Sequence, residues 1–253
     1  MPQTLRRAER LAILASLASV TAIAWIYLIV MAAGMDAMQG GEMLGMHPWT
    51  AVDFALMLAM WVVMMVGMML PTAIPMTLVY AQVAGKAARE GTVLAPTGAF
   101  VAGYLLAWSV FSVGATVAQW GLDRAALLSP MMVSNSPWLG AALLIGAGAY
   151  QLTPLKNVCL RHCRSPAHFL AENWRPGSFG ALTMGFTHGL FCLGCCWVLM
   201  GLLFVGGVMN LLWIAAITLF VLLEKVIPFG VLGGRAAGLA MIAVGFVTLL
   251  RWF

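Results

Sequence analysis

Apolar residues in this chain run in long, nearly unbroken blocks and do not alternate with polar ones. The blocks fall at about residues 11–33, 52–84, 95–121, 137–155, 180–206, 209–228 and 236–250. About 20 apolar residues carry a helix across the ~30 Å hydrocarbon core of a bilayer, so the blocks have the scale of membrane crossings. Strand periodicity is missing, and a backbone in lipid satisfies its polar groups within one segment only as a helix. The pattern predicts an all-α fold: a polytopic transmembrane bundle of about seven helices, one transmembrane domain over 1–253. Gly233, Gly234 and Gly238 precede or enter the short last block, so six helices with a C-terminal interfacial segment is the alternative. Two connections, 34–50 and 155–179, are long enough to hold chemistry.

Composition sharpens this. Only 8% of the 253 residues are charged and 63% are hydrophobic, against about 25% charged in a soluble domain, which excludes a soluble fold. The net charge of +5 sits in short basic runs between blocks, which read as topology signals and give no face for nucleic acid. Under the seven-helix scheme one side receives Arg6, Arg7, Arg10, Lys86, Arg89, Lys156, Arg161, Arg164, Arg175, Lys225 and Arg235, and the other only Arg124 and Arg251. That imbalance predicts a cytoplasmic N-terminus. The first block exceeds the roughly 7–15 residues of a signal-peptide core and reads as an uncleaved helix.

The candidate chemistry is sulfur and imidazole. At about 100° per residue, Met184, His188, Cys192 and Cys195 share a narrow arc of the fifth block, with Cys196 at its edge. Thioether, imidazole and thiolate suit Cu(I) or zinc, whereas magnesium and calcium need oxygen donors that are scarce here. Ionisable groups near mid-membrane are costly and point to function. In the second block Asp53, Met57, Met60, Met64 and Met68 line one face, and Pro71 and Pro75 interrupt the helix, as in broken helices that line transporter cavities. The same stripe also fits core packing. In the inner connection Cys159, His162 and Cys163 share a face if the helix continues past Lys156; a reduced thiol pair beside a basic loop is the other reading. The outer connection carries Met35, Met38, Met43, Met46 and His47, a weak collector of soft metal or an interfacial segment. Glu224 and Lys225, one turn from the inner end of the sixth block, read as snorkelling anchors.

The strings MMLPTAIPM, YQLTPLKNVCLRHCRSP, GFTHGLFCLGCCWVLM and LEKVIP resemble a bacterial family of polytopic inner-membrane proteins of unknown function, described as predicted metal-binding integral membrane proteins. The resemblance runs from about Asp53 to Pro228. It implies a multi-pass helical protein of the bacterial inner membrane that binds metal through Cys159, His162, Cys163, His188, Cys192, Cys195 and Cys196.

Together these readings predict an integral membrane protein that binds Cu(I), or less readily zinc, and moves or delivers it across the bilayer. Its partners would be the lipid bilayer, the metal ion and a membrane enzyme or metallochaperone, with no nucleic acid. Two alternatives stay open: a membrane thiol-disulfide oxidoreductase using Cys192 and Cys195, a C-x-x-C pair, and an accessory copper-holding subunit of a larger membrane enzyme. No phosphate-cradling loop or nucleophile elbow points to another enzyme class.

Overall fold

A computed structural model of the chain describes residues 7–38, 49–93, 95–129, 132–227 and 229–251, with side chains omitted for 35–38. Met43, Met46 and His47, and the side chains of Met35 and Met38, therefore lie outside the described residues. The described chain is all-α, with one isolated bridge between Leu128 and Ser134. Its helices are α1 (Arg7–Met38), α2 (Ala51–Arg89), α3 (Thr97–Arg124), α4 (Pro137–Leu152), α5 (Pro154–Arg164), α6 (Pro166–Asn173), α7 (Gly177–Gly201), α8 (Leu203–Gly206), α9 (Leu211–Val226) and α10 (Gly230–Leu250).

All seven apolar blocks are helical, but they are not equivalent. Five stretches are long and apolar enough to cross a membrane: Arg7–Gly34, α2, α3, Gly177–Gly206 and α10. The helices in the other two blocks, α4 and α9, have 16 residues each, about 24 Å at 1.5 Å per residue and short of a ~30 Å core. The local sequence explains the early end of α4. Thr153 closes it, and Thr153 Oγ1 then accepts the Lys156 amide at 3.3 Å as the cap of a new helix whose first residue is Pro154. The chain is helical past Lys156, as Cys159, His162 and Cys163 need in order to share a face, but as a new helix that starts after the break at Thr153.

The expected interruption of α2 is also absent, since the helix is continuous through Pro71 and Pro75. Proline lacks the N–H that would bond four residues back, so Pro71 frees the Gly67 carbonyl. Trp25 Nε1 of α1 donates to that oxygen at 3.2 Å. Two residues on, Thr72 Oγ1 and Tyr104 OH both donate to the Met69 carbonyl, at 2.8 and 3.0 Å. At the other end Thr50 and Asp53 form a capping box, so Asp53 serves the helix terminus.

The core lies where α2, α3, α7 and α9 meet. Met60, Trp61, Met64, Met65, Met68 and Met69 of α2 are fully buried against Tyr104, Trp108 and the α7 cysteines. A second cluster nearer the α5–α6 end gathers Met76, Tyr80, Phe100, Phe169 and Met184. Helices α3 and α7 touch backbone to backbone: a Cβ on Gly185 would collide with the Phe100 carbonyl, and one on Gly103 would lie 2.8 Å from Phe186 N. Small residues at such contacts are how membrane helices approach closely.

Candidate metal-handling site

The α7 face predicted by helical spacing is buried. His188, Cys192, Cys195 and Cys196 are each at most 2% exposed. Cys195 Sγ and Cys196 Sγ, three and four residues on, both donate to the Cys192 carbonyl, at 2.9 and 3.0 Å. His188 sits among the rings of Phe100, Tyr104 and Phe169. Its Nδ1 is buried with no hydrogen-bond partner among the described residues. An imidazole nitrogen kept dry and unspent is a ligand-grade atom.

The break at Pro154 decides the rest. It folds α5 back against α7, bringing thiols from the inner connection to those of the fifth block. Cys163 packs against the cluster that holds Cys192 and Cys195, and Cys159 Sγ lies against α7 at Gly194. Tyr150 of α4 donates to the Gly194 carbonyl, tying the same turn from a third helix. All five cysteines are free thiols. The two α5 thiols titrate above the usual thiol range, Cys163 through the neighbouring Cys192 and Cys195 together with burial, Cys159 mainly through burial.

Three predicted positions go elsewhere. His162 does not join its neighbours; its ring stacks on Phe191 at 4.1 Å, and its Nε2 lies 3.9 Å from the Glu172 carboxylate. Met184 belongs to the second cluster, where its sulfur accepts the Arg175 amide at 3.3 Å. Met57 sits at the start of α2, beside Gln119. Met60, Met64 and Met68 are buried within the core along the α2 face.

Glu224 and Lys225 are not surface anchors. Lys225 Nζ donates to Cys192 Sγ at 2.9 Å and to Thr72 Oγ1 at 3.1 Å, while Tyr104 OH lies 3.0 Å from the same sulfur. Glu224 pairs with Lys156, which also donates to Gln151. Lys156 and Lys225 are 2% and 9% exposed, so neither is a topology signal. Without them the basic residues still divide nine against two. Adjacent residues at the end of α9 thus clamp both thiol-bearing helices: Lys225 reaches α7 and Glu224 reaches α5. Buried ions hold only when paired, since an unpaired charge at such depth costs several kcal/mol. Lys225, Tyr104 and Thr72 escape a reading of the sequence because helical spacing is local and their meeting is not. The one available signal was an ionisable pair inside an apolar block.

Among the described residues no three His, Cys, Asp or Glu side chains are drawn together tightly enough to hold a metal ion. The α7 sulfurs are neighbours, but each is engaged with a carbonyl, a hydroxyl or an ammonium. The donor set is nonetheless that of a soft-metal site: at least four thiols with an unspent imidazole.

Residues 58–248, about three quarters of the chain, match the PpoB2 copper chaperone family. The chain belongs to that family. No curated protein and no solved structure matches it. The family's description points to copper handling. The match ends twenty residues beyond the Pro228 limit of the sequence resemblance and takes in most of α10.

Proposed function

We propose that this copper chaperone family member is a multi-spanning protein of the bacterial inner membrane that takes Cu(I) as cargo and delivers it by ligand exchange along a row of sulfur donors. In this reading α4 and α9 are short crossings that complete seven, and the N-terminus is cytoplasmic. The observation that carries the proposal is the meeting of the α5 and α7 thiols beside Lys225, in the interior of the helix bundle. A chaperone must bind tightly enough to take the ion and loosely enough to pass it on. Thiols that already have other partners meet that need. Cu(I) arriving at Cys192 displaces Lys225 and Tyr104 from the sulfur, and both have somewhere to go, Lys225 to Thr72 and Tyr104 to the Met69 carbonyl. Any ligand sulfur that still carries a proton gives it up to the medium as its Cu–S bond forms. His188 Nδ1, with no other partner, is available to complete the coordination. Zinc, which takes four ligands in a tetrahedral set, asks more of these donors than a Cu(I) ion passed between sulfurs. The C-x-x-C redox reading gains little support, since both sulfurs are buried away from any thiol of another protein.

The test is the metal content of detergent-purified protein loaded with Cu(I) under reducing conditions, wild type beside a Cys192→Ala, Cys195→Ala, Cys196→Ala triple variant. Stoichiometric copper lost in the variant supports the proposal. Equal copper in both, or none in the wild type, refutes it.

A further inference from the structure

At the α2 N-terminal end of the bundle one buried amide is placed between two methionines. Gln119 of α3 is 1% exposed, and its Oε1 accepts the Trp61 indole N–H at 2.6 Å. Its Nε2 has two sulfur partners, Met57 Sδ at 3.6 Å and Met132 Sδ at 3.2 Å. The two sulfurs can thus be no more than 6.8 Å apart, the sum of those distances. They come from unrelated parts of the chain, Met57 from α2 and Met132 from the 125–136 connection.

The backbone at Met132 is unusual. Its φ is +56°, a left-handed conformation that non-glycine residues seldom adopt and that costs of order 1 kcal/mol or more. A tight turn pins it: Met132 N donates to Ser129 O at 2.8 Å, Ser129 N to Val133 O at 2.8 Å, and Ser134 N to Phe204 O at 2.8 Å. Strain held in place by several bonds, with a thioether aimed at a buried amide, marks a built feature. Thioethers are weak acceptors, so packing alone gives little reason to seat an amide between two of them. The amide hydrogens put positive charge beside both sulfurs, where a soft cation would sit.

We propose that Met57 and Met132, arranged around Gln119, form a thioether receiving site for Cu(I), separate from the thiol group. Methionine has three rotatable bonds, so both sulfurs can close on an ion once the amide moves aside. Thioethers bind Cu(I) without losing a proton and reject hard cations. Asp123, one turn along α3 from Gln119, adds negative charge near the site while accepting the Trp49 indole N–H at 2.8 Å. Both methionines are partly exposed, whereas Met60, Met64 and Met68 beyond them are fully buried. From Met57 to Met69 is about 18 Å of helix, and the Met69 carbonyl bonds the Tyr104 hydroxyl that touches Cys192. The row thus leads from the thioether pair to the thiols. This inference rests on the copper-delivery reading, and its test is arranged to fail separately.

Ag(I), a soft monovalent probe, is titrated into the purified full-length protein, and bound equivalents are counted by equilibrium dialysis. A Met57→Leu, Met132→Leu variant, which keeps side-chain volume, should lose one equivalent and retain the rest. The Cys192→Ala, Cys195→Ala, Cys196→Ala variant should retain that equivalent, and Met132→Leu alone should weaken it at least tenfold. Wild-type stoichiometry in the double methionine variant overturns the receiving site. Wild-type stoichiometry in the cysteine variant overturns the thiol reading instead.

Discussion

Adding one methyl group to α7 should disturb the thiol site from seven residues away. Gly185 faces α3 so closely that a Cβ would collide with the Phe100 carbonyl oxygen and lie 2.7 Å from its carbon. Ordinary carbon contacts begin at 3.4 Å, so Gly185→Ala forces α3 and α7 apart by roughly 1 Å, an overpacking cost of about 1–3 kcal/mol. Tyr104 sits one turn beyond Phe100 on α3, and its hydroxyl is 3.0 Å from Cys192 Sγ. The same displacement would carry that contact to about 4 Å, the limit of a bond to sulfur. At about 2–4 °C per kcal/mol for a chain of this length, the variant should melt several degrees lower. It should also expose Cys192 to a small maleimide faster and hold less copper. Gly114, on the same α3 helix, has nothing within 4 Å of its Cβ position, so Gly114→Ala is the control and should be neutral or stabilising by up to about 1 kcal/mol. Intrinsic fluorescence melts in detergent, maleimide labelling rates and copper analysis read the three effects. An unchanged melt and labelling rate in Gly185→Ala, or an equal loss in Gly114→Ala, would refute the reasoning.

Two more outcomes follow from the geometry. Trp25→Phe should cost about 1–3 kcal/mol, because it strands the Gly67 carbonyl that Pro71 frees; in a Pro71→Ala background, where residue 71 has its own N–H, thermal melts should show that cost largely vanish. The α5 thiols hold their protons above the usual range and must release them to bind metal, so a chelator competition should show Cu(I) affinity falling as pH is lowered from 8 to 6; a flat profile would remove Cys159 and Cys163 from the ligand set.

What the sequence determined by itself is whatever a single helix decides. The apolar blocks had to be helices, and helical spacing alone put His188, Cys192, Cys195 and Cys196 on one buried face of α7. Soft donors in that pattern point to Cu(I) or zinc. The tertiary structure decided how those helices address one another. Pro154 ends α4 and sends α5 back to α7, so Cys159 and Cys163 arrive at a site that linear spacing kept separate. His162 and Met184, in register with their neighbours, are drawn off to Phe191 and to the Arg175 amide. Lys225 looked like an anchor because its position near a helix end is visible in the sequence, whereas the sulfur it meets lies 33 residues away. The α2 prolines looked like a break because the compensating donor, Trp25, belongs to another helix. Periodicity is local and survives in the sequence. The partner that satisfies a buried charge, carbonyl or thiol is set by packing between distant segments, and only the folded bundle brings it into place.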